Sequence, residues 1–357
     1  MTEPPTDPTR TALSQDNGDH RRGTLTRRRL WQLGAAATVT AGAASLWQVG
    51  TAGVASAATA QDYFDKAAEL AGDDPVLLSL VDALSSDFTV PRPAAPKPMK
   101  IFDDVAVLSA GWVSATALLT SDGIILIDAL NNPSEAERYI VSGLRTLGAD
   151  PATIKYIVVT HGHSDHFGGA QYLADQYGAR VMMAPADWNA LAASNPANAP
   201  NRDLDITDGQ RLTLGTTAVT LAVTPGHTSG TVSPIFPVRW RGAARTAMLW
   251  GGTKPPTSAA AKQTYLSSVL SFASRMSQAR VDVELSNHAF CDYGLERMAQ
   301  LRAAPGSSDN PFVLGASRTQ LFMQVMENML RGLIAQNRTG STSTTASKPS
   351  PLESCGC

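Results

Sequence analysis

The chain has 357 residues, enough for one large hydrophobic core or two modest ones. At 43% hydrophobic and 17% charged residues, with a formal charge of -2, it offers neither a basic surface for nucleic acid nor an acidic tail. Three cysteines, Cys291, Cys355 and Cys357, exclude a disulfide framework. In chain order, residues 1–23 are polar, Arg27-Arg28-Arg29 follows shortly after, and no charged residue occurs from Leu30 through Gln61. That run is long enough to span a bilayer. It is rich in Ala, Gly and Thr, however, and ends at Val54-Ala55-Ser56-Ala57, a small-x-small cleavage pattern.

The arginines and the weakly apolar run resemble a twin-arginine export signal. The resemblance implies that residues 1–57 are a leader removed on export. The mature chain would then be extracellular or periplasmic, without stable membrane contact. Residues 58–99 are expected to form a helical extension and linker. Within them, 61–86 reads as one or two helices interrupted near Asp73-Asp74-Pro75, and 87–98 holds four prolines and no periodicity. From Lys100 the texture turns to short β-type runs, KIFDDVAVL, WVSATALLT and GIILIDAL, the last two joined by the hairpin signal Ser121-Asp122-Gly123. A helix is predicted over 133–147, closed by Gly148. Next come the strand TIKYIVVT, the stretch THGHSDHFGG, the helix GAQYLADQYG and the strand ARVMMAP.

Residues 188–207, dominated by Asn, Pro and Ala, read as a loop bordering a site. Trp188 and Trp250 are candidate apolar contacts there, with core packing the favoured role. The strands QRLTLGT, TAVTLAVTP, GTVSPIFPV and TAMLWGG precede a helix over 258–279 and the strand VDVELSN. Helices near 293–303 and over 319–336 follow, and 337–357 reads as a disordered Ser/Thr-rich tail. Two strand-rich halves punctuated by helices predict an α/β fold with two sheets back to back, covered by helices.

The chemistry concentrates in the histidines. His20 lies in the leader; His161, His163, His166, His227 and His288 all fall at strand ends or in loops. Ligand sites in α/β proteins lie at the carboxyl ends of strands. His161-x-His163 alternates, so both rings can turn to one side of an extended chain. Asp165 and His166 are adjacent and need the loop to curl. Imidazole nitrogen and carboxylate oxygen are ligands for zinc, and four such side chains so close together suggest two neighbouring ligand sets. His227 sits in TPGHTSG and His288 in SNHAF.

THGHSDHFGG resembles the H-x-H-x-D-H signature of the metallo-β-lactamase fold superfamily, and TPGHTSG and SNHAF resemble its further ligand positions in order. The resemblance covers about residues 100–303. It implies a four-layer αββα sandwich over 100–336 and two zinc ions (Zn2+) per chain. His161, His163 and His227 would hold the first zinc, and Asp165, His166 and His288 the second. Gly251, Gly252 and Thr253 stand where hydrolases such as glyoxalase II carry a bridging aspartate, and no cysteine lies between His166 and His288. This is similar to the lactamase subclass with three histidines at one zinc and Asp-His-His at the other. The resemblance therefore implies an exported zinc hydrolase of a small-molecule substrate. A metal-bound hydroxide, oriented by Asp165, would attack a cyclic amide carbonyl of β-lactam type. Hydrolysis of esters, lactones or sulfate esters is the alternative, and a non-catalytic zinc-binding protein another. Asp128 reads either as a group beside the metals or as a turn carboxylate. Cys291 reads as a buried apolar residue, and Tyr293 as a packing residue or an oxyanion contact.

Overall fold

Period-two alternation in short apolar strands sets the layers. In β4 (Gly123–Ile127), Ile124 and Leu126 face a helical layer, while Ile125 and Ile127 face a second sheet. In β6 (Arg180–Met183), Val181 and Met183 divide from Met182 in the same way. The structure is a computed structural model that describes residues 58–340. The expected leader and the tail beyond residue 340 lie outside the described residues.

The first sheet has the order β1-β2-β3-β4-β5-β6-β7. Its other strands are β1 (Met99–Phe102), β2 (Val105–Ser109), β3 (Ser114–Thr120), β5 (Ile154–Val158) and β7 (Leu204–Asp205). Pairing is antiparallel from β1 to β4 and parallel from β4 to β7. The second sheet comprises β8 (Gln210–Leu214), β9 (Thr217–Val223), β10 (Val232–Trp240), β11 (Ala243–Trp250) and β12 (Val283–Ser286). It runs β12-β11-β10-β9-β8, with only β11 and β12 parallel. Phe102, Ile125, Val158, Val219, Phe236 and Leu249 fill the space between the sheets.

Helices cover both outer faces. On the first sheet lie α3 (Pro133–Glu135), a π-helical stretch (Ala136–Val141) and α4 (Ser142–Thr146). Beside them lie α5 (Ser164–Phe167), α6 (Ala170–Tyr177) and α7 (Pro185–Ser194). On the second, α8 (Ala259–Ala279) stacks Tyr265 on Trp250 of β11 and sets Phe272 edge-on to the same ring. After α9 (Gly294–Ala303), α10 (Ala316–Gly340) packs against α8. The two N-terminal helices, α1 (Ala60–Ala71) and α2 (Pro75–Ala83), pack on α10. The result is the αββα sandwich. Among the described residues no helix is long and apolar enough to cross a membrane.

Two elements depart from expectation. The stretch 188–207 is not one loop: it begins inside α7 and ends just past β7. Pro185 in the first turn and Asn195 in the left-handed C-cap position (φ 46°) bracket α7, and Trp188 and Leu191 supply its buried face. Its Asn- and Ala-rich composition hides that pattern. The last helix also continues through Gly340, past the 319–336 span read from the sequence.

Candidate metal centre

The site is assembled where strands of both sheets end. Beyond β5, the Thr160 carbonyl accepts the Val232 amide of β10 at 2.8 Å, which ties the sheets together. The Thr160 amide and hydroxyl donate to Asp128 at 2.7 and 2.9 Å. Asp128 follows β4 with a left-handed backbone (φ 65°) and is fully buried. The chain then runs through His161 and His163, and the short turn of α5 swings Asp165 and His166 inward.

Two donor groups result. His227 Nε2 lies 3.1 Å from His161 Nε2 and 3.0 Å from His163 Nδ1. His166 Nε2 lies 3.2 Å from both His288 Nε2 and Asp165 Oδ2, and His288 Nε2 is 3.5 Å from that oxygen. Donors at 2.0–2.2 Å around a tetrahedral zinc are separated by about 3.3–3.6 Å. The observed spacings of 3.0–3.5 Å lie within or a few tenths of an ångström below the edges of such a tetrahedron, each group supplying three corners. The groups adjoin, since the His161 and His166 rings are 4.0 Å apart between centroids.

Four rings are fixed from behind. Nδ1–H of His161 donates to the Gly251 carbonyl (2.7 Å), that of His227 to Lys254 (2.8 Å) and that of His288 to Trp112 (2.9 Å). His166 Nδ1 meets Asp128 Oδ2 at 2.7 Å. A carbonyl only accepts, so each of those rings carries its proton on Nδ1 and turns the Nε2 lone pair inward. Burial and then the neighbouring imidazoles hold His161 and His227 well below the usual histidine range. Burial and His166 take His288 down to about 4. Burial pulls His166 down too, but Asp165 and Asp128 outweigh it and raise this ring well above its ordinary value.

The glycines at 251 and 252 are sterically required. A Cβ on Gly252 would stand 2.6 Å from the His227 ring, and one on Gly251 would stand 1.9 Å from the Val232 carbonyl. Neither position can carry a carboxylate. The Gly251 carbonyl serves His161 and the Asn287 amide instead. Trp188 and Trp250 are both core residues, and burial raises the Cys291 thiol.

Sequence reading missed Asp187. This buried carboxylate in the first turn of α7 accepts the Gly162 amide (2.7 Å) and the Thr228 hydroxyl (2.7 Å) on Oδ2, and the Gly230 amide (2.8 Å) on Oδ1. It ties the 161–166 loop to the His227 loop. Asn287 was missed too; its amide also reaches the Thr160 hydroxyl at 3.2 Å. The available signal was position: both residues follow the carboxyl end of a parallel strand, β6 and β12 respectively.

Residues 110–239 match the family model of the metallo-beta-lactamase superfamily, a span holding both donor groups except His288. In that stretch the chain is thus similar to the metallo-β-lactamase superfamily. Among solved structures it is similar to the native FEZ-1 metallo-β-lactamase of Legionella gormanii, with 21% identity and a TM-score of 0.60, covering 70% of this chain and 99% of that one. It is also similar to BJP-1, a subclass B3 metallo-β-lactamase of Bradyrhizobium japonicum, with 22% identity, a TM-score of 0.56, and coverage of 70% and 95%. At these identities the likeness is one of fold. The hydroxyacylglutathione hydrolase of Acidiphilium cryptum is 32% identical over 108 residues, 30% of this chain and 40% of that protein. The chain therefore matches less than half the length of such relatives.

Proposed function

We propose that the chain is a two-zinc hydrolase that opens a cyclic amide, with β-lactams the first substrate class. The observation that carries the reading is the pair of donor groups set at tetrahedral spacings. The absence of room for a carboxylate at residues 251 and 252 supports the ligand set of three histidines beside Asp-His-His. Zinc at such donors supplies Lewis acidity and water activation near neutral pH. The protein's part is to hold the rings of His161, His227 and His288 in one tautomer and to bury the second group. Asp165 adds a carboxylate that can orient a water and take up its proton. The leader would place the folded enzyme outside the cytoplasm.

A second reading, thioester hydrolysis, is favoured by the local identity to a hydroxyacylglutathione hydrolase. One panel separates the two. Nitrocefin opening is expected, lost after dialysis against a chelator and regained with zinc. If nitrocefin is untouched while a hydroxyacylglutathione thioester, a lactone or an aryl ester turns over, the cyclic-amide reading fails. No turnover of any of them with both zincs bound points to a binding protein.

A further inference from the structure

The proline-bearing segment between α2 and β1 reaches the rim of the second donor group. Phe88 packs 5.1 Å from Phe290, and Phe290 stacks 5.1 Å from His288 at 29°. Trp112 also stacks on His288, 5.6 Å away at 27°. The Arg92 guanidinium lies over the Trp112 ring, 3.4 Å from its centroid. Two residues of one segment thus cover Phe290 and Trp112, both of which stack on a single site histidine.

The seat is tight. A Cβ on Gly111, next to Trp112, would stand 2.3 Å from the Pro93 carbonyl, so only glycine admits the segment here. Pro91 and Pro93 flank Arg92 and restrict its backbone. Trp112 is buried under this cover while Arg92 is exposed. A guanidinium set over an indole face is held there by the ring and keeps N–H donors for a planar anion. Among the described residues no carboxylate is paired with Arg92.

We propose that Arg92 is the anion-recognition residue of the site: it pairs with a carboxylate on the substrate, while Trp112 beneath it forms the apolar wall toward His288. This rests on the hydrolase reading and narrows its substrates to anions. Arg92 acts in binding and specificity and leaves the bond-breaking step to the donor groups.

The test reads binding, without turnover. In cobalt-loaded protein, a short series of ω-mercaptocarboxylates is titrated beside the matching mercaptoamides, following the sulfur-to-cobalt charge-transfer band. The parent is expected to prefer the best-fitting carboxylate over its amide by about tenfold, the scale of one charge-assisted hydrogen-bonded pair. R92Q should abolish the preference and leave amide binding unchanged; R92K should restore part of it. A preference that survives R92Q, or an equal weakening of both thiols, overturns the proposal. A silent substrate panel with this selectivity intact would sink the hydrolase reading alone.

Discussion

Asp128→Asn will loosen the metal at the second donor group while the first group keeps its own. The Asp128 carboxylate is fully buried and accepts from the Thr160 amide, the Thr160 hydroxyl and His166 Nδ1, all within 2.9 Å. Asparagine is tolerated at a left-handed φ, so the backbone survives the change. One of its two head atoms is an NH2 donor, however, and it must face a group that already donates. If that group is His166, the ring loses the partner that fixes its tautomer. Losing such a partner typically costs about 10–100-fold in metal affinity. A buried donor left unpaired costs about 1–3 kcal/mol of stability besides. Competition with a calibrated chelator should therefore resolve one tight and one weakened equivalent. Two equivalents as tight as in the parent would show that Asp128 is only a turn carboxylate.

Arg297→Met should produce the largest loss of stability. The guanidinium is buried and bridges Glu284 on β12 at 2.9 Å and Asp292 just after the His288 loop. Burial and mutual repulsion raise Glu284, and burial raises Asp292, each against the pull of Arg297. Without the cation, two buried carboxyls face each other with nothing to balance them, a defect of about 3–5 kcal/mol. For a domain of this size that lowers Tm by roughly 6–20 °C. The sign of the pH dependence follows. A carboxyl whose pKa is raised in the fold keeps a proton that the unfolded chain has already shed, so stability falls as pH rises above the ordinary carboxyl range near 4. The deficit of Arg297→Met should be smallest at mildly acidic pH and grow toward alkaline pH. Thermal melts across that range check it; a deficit independent of pH would mean that the lost methylene packing and ring contact with Phe312 dominate.

The architecture was readable because it is written locally. Ile124 to Ile127 alternate between two buried faces, and a turn of Ser121 and Asp122 joins β3 to β4. Five histidines at strand ends announced a shared cleft, and the fold brings their nitrogens together. What escaped depends on contacts far apart in the chain. Asp187 matters only because α7 carries it to amides at residues 162 and 230. The 87–98 segment looked like a spacer, since nothing in Val90-Pro91-Arg92-Pro93 says that an indole twenty residues later lies beneath the guanidinium. Asp128 could not be assigned from sequence for the same reason, because its partners lie beyond β5, on α5 and beyond β12.

Metal analysis of the purified full chain tests the central claim most directly. Elemental mass spectrometry should find two zinc equivalents per chain. His227→Ala should retain one, because it removes a corner from the group of His161 and His163 and leaves Asp165, His166 and His288 intact. A folded parent that binds no zinc, or a His227→Ala variant that still holds two equivalents with unchanged affinity, would contradict the account.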